Sequence, residues 1–483
     1  MMVNFRVIAR VFSLLLIFEG LFMLLSAGVS YIYQEDCTLS FLLSALITII
    51  TGILVFTPLR NEERIYGNKE GYIIVTGIWI IFSIFGTLPY LLSGSINNFT
   101  DAFFESMSGF TTTGATIFTD VESMPNGILF WRSLTQWIGG IGIIFISFSV
   151  LPVVKSINIQ IAATEFSAQQ TDKIHPRTKD SANRLITIYL LITLTEVFFL
   201  SIGGMPVFDA ICHSLSTLST GGFSTHNDGM ASFSSPYIML IMTLFMFIAG
   251  TNMTLIYFGL KGNFKKIITN NEFIFYVIVC ASFIIIFTIA MLFSTGYRSG
   301  NSFVNAAFHV VSIITTTGFY TQDYNLWSNL LIIMLFVLMF TGGMAGSTSG
   351  GVKMVRLLLL TKNNRKEVKS IIHPNAYVPV RLDRHIMSQN TIYNLLVFFT
   401  LYFFVLCAAT VMISFMGYDL VTSFSTSASM LGNIGPGFGS FGPFTNFSEL
   451  PVGGKYFLSG LMLIGRLEVL TVLILFTRNF YRH

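Results

Sequence analysis

Four short segments hold the residues best suited to bind an ion, because each places hydroxyl or amide side chains beside glycine in an apolar chain. They read TTTGA (111–115), STGGF (219–223), TTTGF (315–319) and GNIGP (432–436). A monovalent cation that leaves water needs replacement oxygens, and rings of backbone carbonyls supply them without a fixed charge that would trap the ion. Glycine adopts without strain the positive φ that often exposes carbonyls along one side. The segments therefore predict a cation filter, with threonine hydroxyls as additional ligands.

The four segments belong to a longer repeat, which is visible when they are aligned on Gly114, Gly222, Gly318 and Gly435. Thirteen residues earlier stand Asp101, Asp209, Asn305 and Thr422, all of them types that cap helix N-termini. Nine residues earlier stand Glu105, His213, His309 and Thr426. We predict a cap, about two to three helical turns, and then a Thr/Gly stretch that leaves the helix. Such a half-helix is too short to cross a membrane, and irregular backbone is tolerated at that depth only where it lines a water-filled path.

Each loop is predicted to line the filter with its Thr/Gly stretch, and Glu105, His213 and His309 are predicted to form hydrogen bonds behind it. The candidate filter residues are Thr111, Thr112, Thr113, Gly114, Ser219, Thr220, Gly221, Gly222, Thr315, Thr316, Thr317, Gly318, Gly432, Asn433, Ile434 and Gly435. An alternative is that the glycines only permit close helix packing. Packing alone does not explain why the cap and the short helix recur.

The composition indicates that these segments are positioned by membrane-spanning helices. Of 483 residues, 53% are hydrophobic and only 10% are charged, whereas soluble domains carry roughly 25% charged residues. This excludes an ordinary cytosolic enzyme, a disordered chain and a secreted disulfide scaffold. The four cysteines form no CxxC pair. The sequence contains no HExxH motif, which argues against an intramembrane enzyme. Ten windows are long enough to cross a ~30 Å hydrocarbon core. They lie at 6–32, 39–57, 71–92, 128–152, 185–203, 236–260, 272–295, 328–360, 391–416 and 455–477.

The distribution of basic residues predicts the orientation of these spans. With the N-terminus inside, all but four of the 27 basic residues fall on the inner side or at its helix ends, as the positive-inside rule requires. The exceptions are Arg132, Arg298, Lys455 and Arg466. The outer segments are acidic, which fits either solvated loops or a vestibule that concentrates cations.

We predict an all-α membrane protein with ten transmembrane helices and four fused helix–pore-loop–helix repeats in a pseudo-fourfold arrangement similar to K⁺ channels. Residues 1–70 form two additional N-terminal helices. The four repeats occupy 71–152, 153–260, 261–360 and 361–483. Repeats that share one orientation argue against an ion-coupled secondary transporter, whose repeats are usually inverted.

Two further features lie in predicted spans and are candidates for a gate. The sequence TGGMAGSTSGG (341–351) interrupts an apolar span and is either a kink filled by neighbouring helices or a loop that obstructs the pore below the filter. Arg466 either faces the pore as an electrostatic barrier or bonds a carbonyl or carboxylate, and it does not pair simply with Glu468. The candidate gate residues are Gly342, Gly343, Gly346, Ser347, Gly350, Gly351 and Arg466.

The motifs FTTTGAT, STGGFSTH, TTTGF, GNIGPG and GRLEVLT resemble those of the Trk/Ktr/HKT superfamily of K⁺ transporters, in particular its TrkH-like branch. The resemblance covers about residues 71–480 and implies a K⁺ filter and a gating loop at 341–351. The residues that would contact K⁺ are Thr112, Thr113, Thr220, Gly221, Thr316, Thr317, Asn433 and Ile434. It also implies a homodimer and cytosolic TrkA-like regulatory subunits that bind ATP, ADP or NAD, since the chain itself has no P-loop or GxGxxG motif after a strand.

The predicted function is K⁺ uptake across the inner (cytoplasmic) membrane, with K⁺ as the transported ion, no bound organic cofactor and no enzymatic activity. The alternative is a symporter that couples K⁺ to H⁺ or Na⁺ through the same filter. The basic inner loops 153–184 and 361–390 are predicted to contact lipid headgroups or to dock a cytosolic regulator. No nucleic-acid partner is expected.

Overall fold

The computed structural model describes residues 3–60, 67–149, 178–233, 235–293, 301–383, 385–478 and 480. Most of the predicted inner loop 153–184, together with Arg298, lies outside them. The helices are α1 Phe5–Ile32, α2 Thr38–Phe56, α3 Asn68–Phe85, α4 Leu88–Leu92, α5 Phe99–Phe110, α6 Asn126–Ser149, α7 Thr178–Ile202, α8 Val207–Leu218, α9 Pro236–Ala249, α10 Met253–Leu260, α11 Phe264–Ile268, α12 Asn271–Phe293, α13 Ser302–Ile314, α14 Asn329–Leu338, α15 Met354–Ile372, α16 Gln389–Phe415, α17 Leu420–Gly432, α18 Val452–Arg466 and α19 Val469–Leu473.

The described chain is mainly helical and rich in apolar helices. Six of its helical segments are long and apolar enough to cross a membrane, and two bent pairs raise this number to eight. The pairs are α9 with α10, bent by 108°, and α18 with the helical residues after it, bent by 115°. The count of ten spans stays a prediction. A small hairpin, β1 (Arg381–Leu382) with β2 (His385–Ile386), adds an antiparallel ladder that the all-α prediction did not include.

The four predicted half-helices are present as α5, α8, α13 and α17, here called half-helices 1 to 4. Their N-termini lie earlier than predicted, because the residues at the caps are Asn98, Pro206, Asn301 and Asp419. Asn98 accepts from the Asp101 amide at 2.8 Å, and Asp419 accepts from the Thr422 amide at 3.3 Å. The predicted caps Asp101, Asp209, Asn305 and Thr422 were therefore wrong by one turn. Asp101 and Asp209 lie in the first turns of their half-helices, where a negative charge interacts favourably with the positive end of the helix dipole.

Each half-helix packs against the spans on either side of it in the chain and against one span of another repeat. Half-helix 1 contacts α3, α6 and α18; half-helix 2 contacts α7, α9 and α6; half-helix 3 contacts α12, α14 and α9; half-helix 4 contacts α16 and α18. The fourth set is completed by Phe336 of α14, whose ring lies 5.1 Å from that of Phe424. Half-helices 2, 3 and 4 therefore each contact the helix that follows the preceding half-helix. Half-helix 1 contacts the helix that follows half-helix 4, which closes the series.

The span predicted at 328–360 is broken. Helix α14 ends at Leu338 and α15 begins at Met354, so that residues 339–353 are not helical. Glycine and serine weaken a helix by conformational entropy and by competing hydrogen bonds, which is why the Gly/Ser-rich composition predicted the break. These residues are called the 339–353 segment below.

Candidate functional site

The four glycines of the repeat lie in a closed ring, in which each glycine is beside a carbonyl oxygen of the next loop. A Cβ added to Gly114, Gly222, Gly318 or Gly435 would overlap or crowd the carbonyl oxygen of Gly221, Thr317, Ile434 or Thr113, respectively. The glycine φ angles are +82°, +81°, +80° and +102°. Glycine is required at these positions both for the backbone conformation and for the close approach. The four loops 111–116, 219–224, 315–320 and 433–438, called loops 1 to 4, surround a common centre.

Each half-helix ends in the same hydrogen-bonded turn. The amides of Thr113, Gly221, Thr317 and Ile434 donate to the carbonyls of Ser108, Ser216, Ser312 and Ser429, at 2.8–2.9 Å. This is the long bond of a Schellman motif, in which one residue takes the left-handed conformation. The left-handed residues are Thr112, Thr220, Thr316 and Asn433, with φ between 54° and 57°. The turn points the negative end of each helix dipole towards the ring.

Three of these left-handed residues are threonines, which is unusual for a β-branched side chain. The left-handed conformation costs an ordinary residue roughly 1–2 kcal/mol, and asparagine tolerates it best. The same strained backbone therefore recurs three times and is retained by its surroundings. Strain of this kind is concentrated at functional sites.

The side chains nine residues before the ring glycines hold three of the loops from behind. Glu105 accepts from the amide of Ile117 at 2.9 Å. His213 lies 3.0 Å from Ser224 Oγ, and the His309 Nε2 accepts from the Thr321 amide at 3.4 Å. In both histidines Nδ1 faces a main-chain carbonyl, so Nδ1 donates and Nε2 accepts. As predicted, these three residues form hydrogen bonds behind the ring.

The fourth loop is held by a neighbouring position instead. Ser425 Oγ accepts from the Phe438 amide at 2.9 Å. The Thr426 hydroxyl has no partner among the described residues. The position nine residues before the ring glycine therefore supports loops 1 to 3 only. In half-helix 4 the hydroxyl of the preceding residue, Ser425, accepts the bond from the loop instead.

A cavity of about 150 Å³ opens on one side of the ring, and all four ring glycines line it. Asp228, Asn446 and Tyr320 stand on its walls. His226 also lies there, 3.2 Å from Glu122 and 3.5 Å from Asp209. The hydrogen bond to Asp209, and then the Glu122 carboxylate, raise the pKa of His226. The cavity is therefore lined by polar and charged groups of both signs, including Asp228, His226 and Arg132.

Several acidic residues of the outer segments have structural partners instead. Asp101 pairs with Lys455 at 2.5 Å, and Glu35 accepts from the amides at the start of α6, including that of Gly127 at 3.0 Å. The Asn227 amide group donates to Asp120 and lowers its pKa. These three acidic residues therefore have structural roles, and the cation-concentrating vestibule stays a prediction.

The 339–353 segment lies against the helix ends and the loops of the ring. Thr348 Oγ1 donates to the carbonyl of Leu218, at the end of half-helix 2, at 2.9 Å. The Gly350 amide donates to Thr316 Oγ1 of loop 3 at 2.7 Å. A Cβ on Gly350 would lie 2.5 Å from the carbonyl oxygen of Gly432. The segment thus contacts half-helices 2 and 4 and loop 3, at the helix ends rather than at the cavity.

The candidate gate residues all belong to this contact region. Gly342 donates to Val352, Gly343 donates to Ser349 Oγ, and Gly346 accepts from Met253. Ser347 Oγ lies 2.8 Å from Ser349 Oγ, and Gly351 has a φ of +65°. The segment is therefore a folded, hydrogen-bonded structure.

Arg466 connects this segment to two repeats. Its Nη1 donates to the carbonyl of Thr348 at 2.7 Å, and its Nη2 donates to that of Gly139 at 3.2 Å. Arg466 is 4% exposed. It bonds carbonyls, as one of the two sequence interpretations stated, and one of these carbonyls belongs to the 339–353 segment. As predicted, Glu468 does not pair with Arg466; it pairs with Arg356 at 2.6 Å.

A family model described as "TrkH: Cation transport protein" matches residues 40–481 of this chain. The chain belongs to the TrkH family. It is similar to the Trk system potassium uptake protein TrkH of Salmonella typhimurium, with 37% identity over 99% of this chain and 100% of the relative. The Trk system potassium uptake protein TrkG of Escherichia coli is 32% identical over 99% of both chains. The crystal structure of the potassium transporter TrkH from Vibrio parahaemolyticus matches with a TM-score of 0.91 and 33% identity, over 99% of this chain and 100% of that one. The resemblance seen in the motifs is confirmed.

In this TrkH-family chain, sequence reasoning found the ring glycines but missed several residues that support them. Gln136 bonds loop 2 twice, donating to the Gly221 carbonyl at 2.8 Å and accepting from the Phe223 amide at 3.2 Å. Asn433 was a predicted filter residue, but its contact was not predicted: it donates to Thr113 Oγ1 at 2.9 Å and so joins loops 4 and 1. Serines stand six positions before every ring glycine, but the bond that each accepts at the end of its half-helix is made by its main-chain carbonyl and requires no particular side chain.

Proposed function

We propose that this chain mediates K⁺ uptake through a pathway whose selectivity filter is the ring of four loops. The observation that carries the proposal is the closed order of contacts, from Gly114 to Gly221, Gly222 to Thr317, Gly318 to Ile434 and Gly435 to Thr113. Such a ring presents backbone oxygens from four sides, which is what a dehydrated monovalent cation requires. The relatives' names, which specify potassium uptake, support K⁺ as the ion.

The proposed K⁺ ligands form two levels. The carbonyls of Thr113, Gly221, Thr317 and Ile434 form one level, and those of Thr112, Thr220, Thr316 and Asn433 form the next. The half-helix dipoles add partial negative charge at the centre. We infer ten spans. Four pseudo-fourfold repeats comprise all of them except the two N-terminal helices, which lie outside the repeats.

The proposed gate is the 339–353 segment together with Arg466. The guanidinium adds positive charge where a cation would pass below the ring, and its bonds to Thr348 and Gly139 join the segment to α6. Opening then requires that these bonds break and that the segment moves aside. This couples a steric barrier to an electrostatic one.

We further propose that the chain spans the inner membrane several times and that both of its termini lie in the cytoplasm. The inside-negative potential would supply ~2.3 kcal/mol per charge per 100 mV for entry. The exposed end of α15 carries Arg365, Lys366 and Lys369, and it is the proposed docking surface for TrkA-like subunits that bind ATP, ADP or NAD. The chain is proposed to act as a homodimer with one pathway in each protomer, in contact with membrane lipid.

The test is ion flux into liposomes that contain the purified chain, with K⁺ compared with Na⁺. Arg466→Ala is expected to raise K⁺ flux without a partner, while the exposed Arg6→Ala serves as the matched control. K⁺-selective flux that needs no second ion supports the proposal. Flux that requires an H⁺ or Na⁺ gradient would replace it with the symporter, and flux unchanged by Arg466→Ala would remove Arg466 from the gate.

A further inference from the structure

A buried ion pair lies directly behind the ring and has no counterpart at the equivalent positions of the other described repeats. Arg132 of α6 donates from Nε to Glu105 of half-helix 1 at 2.8 Å, and the two side chains are 2% and 0% exposed. Removing two charges from water costs several kcal/mol per ion unless further hydrogen bonds satisfy both. The remaining bonds of this pair therefore indicate what it holds in place.

Those remaining bonds reach two neighbouring loops at the same register. Arg132 Nη2 donates to Thr116 Oγ1, two residues after Gly114, at 3.2 Å. Arg132 Nη1 donates to the carbonyl of Ser224, two residues after Gly222, at 3.1 Å. Arg132 thus spans loops 1 and 2 with the fixed geometry of one guanidinium.

The other partners strengthen the same junction. Thr116 Oγ1 donates to Glu105 at 3.1 Å, and the Ile117 amide donates to Glu105 at 2.9 Å. The Arg132 Cζ lies 4.3 Å from the centre of the Phe223 ring, directly after Gly222. Cation–π contacts of desolvated arginines are stronger than those at exposed sites. The two loops are therefore held by charge, hydrogen bonds and ring contact together.

Two of the equivalent positions in the other repeats make neutral bonds within their own repeat, and the third, Thr426, has no hydrogen-bond partner among the described residues. His213 contacts Ser224, and His309 contacts Thr321. At the junction of loops 1 and 2, as at the other three junctions, the ring glycine approaches the carbonyl of the next loop closely, here Gly114 to Gly221. A change in the separation of these loops would alter the spacing of the ring oxygens on that side.

We propose that Arg132 and Glu105 are positioning residues that fix the spacing of loops 1 and 2 and thereby set the discrimination between K⁺ and Na⁺. This inference rests on the proposed function, because it takes the ring as the filter. Ion selectivity depends on the size of the oxygen cage or on the number and field strength of its carbonyls. Either dependence makes the spacing of the loops decisive. A tenfold loss of discrimination corresponds to only 1.4 kcal/mol, so a small displacement is sufficient.

The decisive variant is Arg132→Lys, which keeps the charge but loses the planar fork that reaches both loops. The matched control is Arg184→Lys, since Arg184 also makes a hydrogen bond, to the Tyr257 hydroxyl, but lies away from the ring. The first readout is the K⁺/Na⁺ flux ratio in liposomes. The second is the rise in melting temperature in KCl relative to NaCl at equal ionic strength, which reports ion binding and does not require an open gate.

Arg132→Lys is expected to lower the K⁺/Na⁺ flux ratio about tenfold and to remove most of the K⁺-specific stabilisation, while Arg184→Lys changes neither. Thr116→Val removes one bond to each charged partner with little change in volume, and it should shift both readouts in the same direction. It decides the question if Arg132→Lys does not fold. A selective wild type whose ratio survives both ring variants would overturn the proposal. A wild type without any K⁺ preference would instead overturn the filter itself.

Discussion

Gly318→Ala tests whether the close approach within the ring, rather than backbone strain alone, matters for function. Gly318 has a φ of +80°, and an alanine there costs roughly 1–2 kcal/mol in backbone energy. Its Cβ would also overlap the carbonyl oxygen of Ile434 and lie 3.2 Å from Pro436 Cδ. Overpacking of this kind typically costs a further ~1–3 kcal/mol. Because the displaced atom is a proposed ion ligand, the second cost should appear as lost selectivity.

Gly262→Ala provides the matched control. Gly262 has a φ of +75°, so its substitution costs a similar backbone energy, but an added Cβ meets no atom within 4 Å. Both variants should therefore lose similar stability from backbone strain, and only Gly318→Ala should disturb the ring. The assay is the K⁺/Na⁺ flux ratio in liposomes, together with the melting temperature in KCl and in NaCl.

Gly318→Ala should reduce the K⁺/Na⁺ ratio about tenfold or more, since each 1.4 kcal/mol corresponds to a factor of ten. Gly262→Ala should leave the ratio at the wild-type value. The reasoning is refuted if Gly318→Ala keeps that value in a folded protein. It is equally refuted if Gly262→Ala loses as much selectivity, because strain alone would then account for the effect.

Three further outcomes are expected. Glu272 accepts from the amide of Ala345 in the 339–353 segment at 2.7 Å and from the amide of Val355, just after the segment, at 3.2 Å. Glu272→Ala should therefore release the segment at a cost of ~1–3 kcal/mol and raise partner-free flux, whereas the exposed Glu367→Ala should not. Glu468→Gln weakens the bond to Arg356 at the start of α15 and should raise flux in the same assay, and equal flux would exclude this bond from the gate. The raised pKa of His226 means that its bridge stabilises the fold below the ordinary pKa of ~6.5 and is lost as pH rises through the raised value. The melting temperature should therefore fall more from pH 6 to pH 9 in the wild type than in His226→Gln. The corresponding loss of unfolding free energy should be less than about 1 kcal/mol because the pair is partly exposed; parallel pH curves would contradict this.

The features that depend on local chemistry could be predicted from the sequence. The half-helices, the helix break at 339–353 and the positive φ of the four glycines follow from residue types at short spacing, because caps, helix propensity and glycine's freedom act within a few residues. Their fourfold recurrence made each one easier to detect. The cap positions were nevertheless wrong by a turn, since Asn98 and Asp419 are equally good caps in the preceding positions.

Which of these parts contact one another depends on the folded chain. The left-handed threonines contradict local preference and persist because the half-helix turn and the ring hold them. Arg132 looked like an exception to the charge rule, yet it bonds Ser224, 92 positions away. Arg466 bonds Thr348 across 118 positions. Hydrogen bonds and close contacts act over a few ångströms in space regardless of separation in sequence, so the order of the loops and the partners of the buried charges become visible only when the chain is folded.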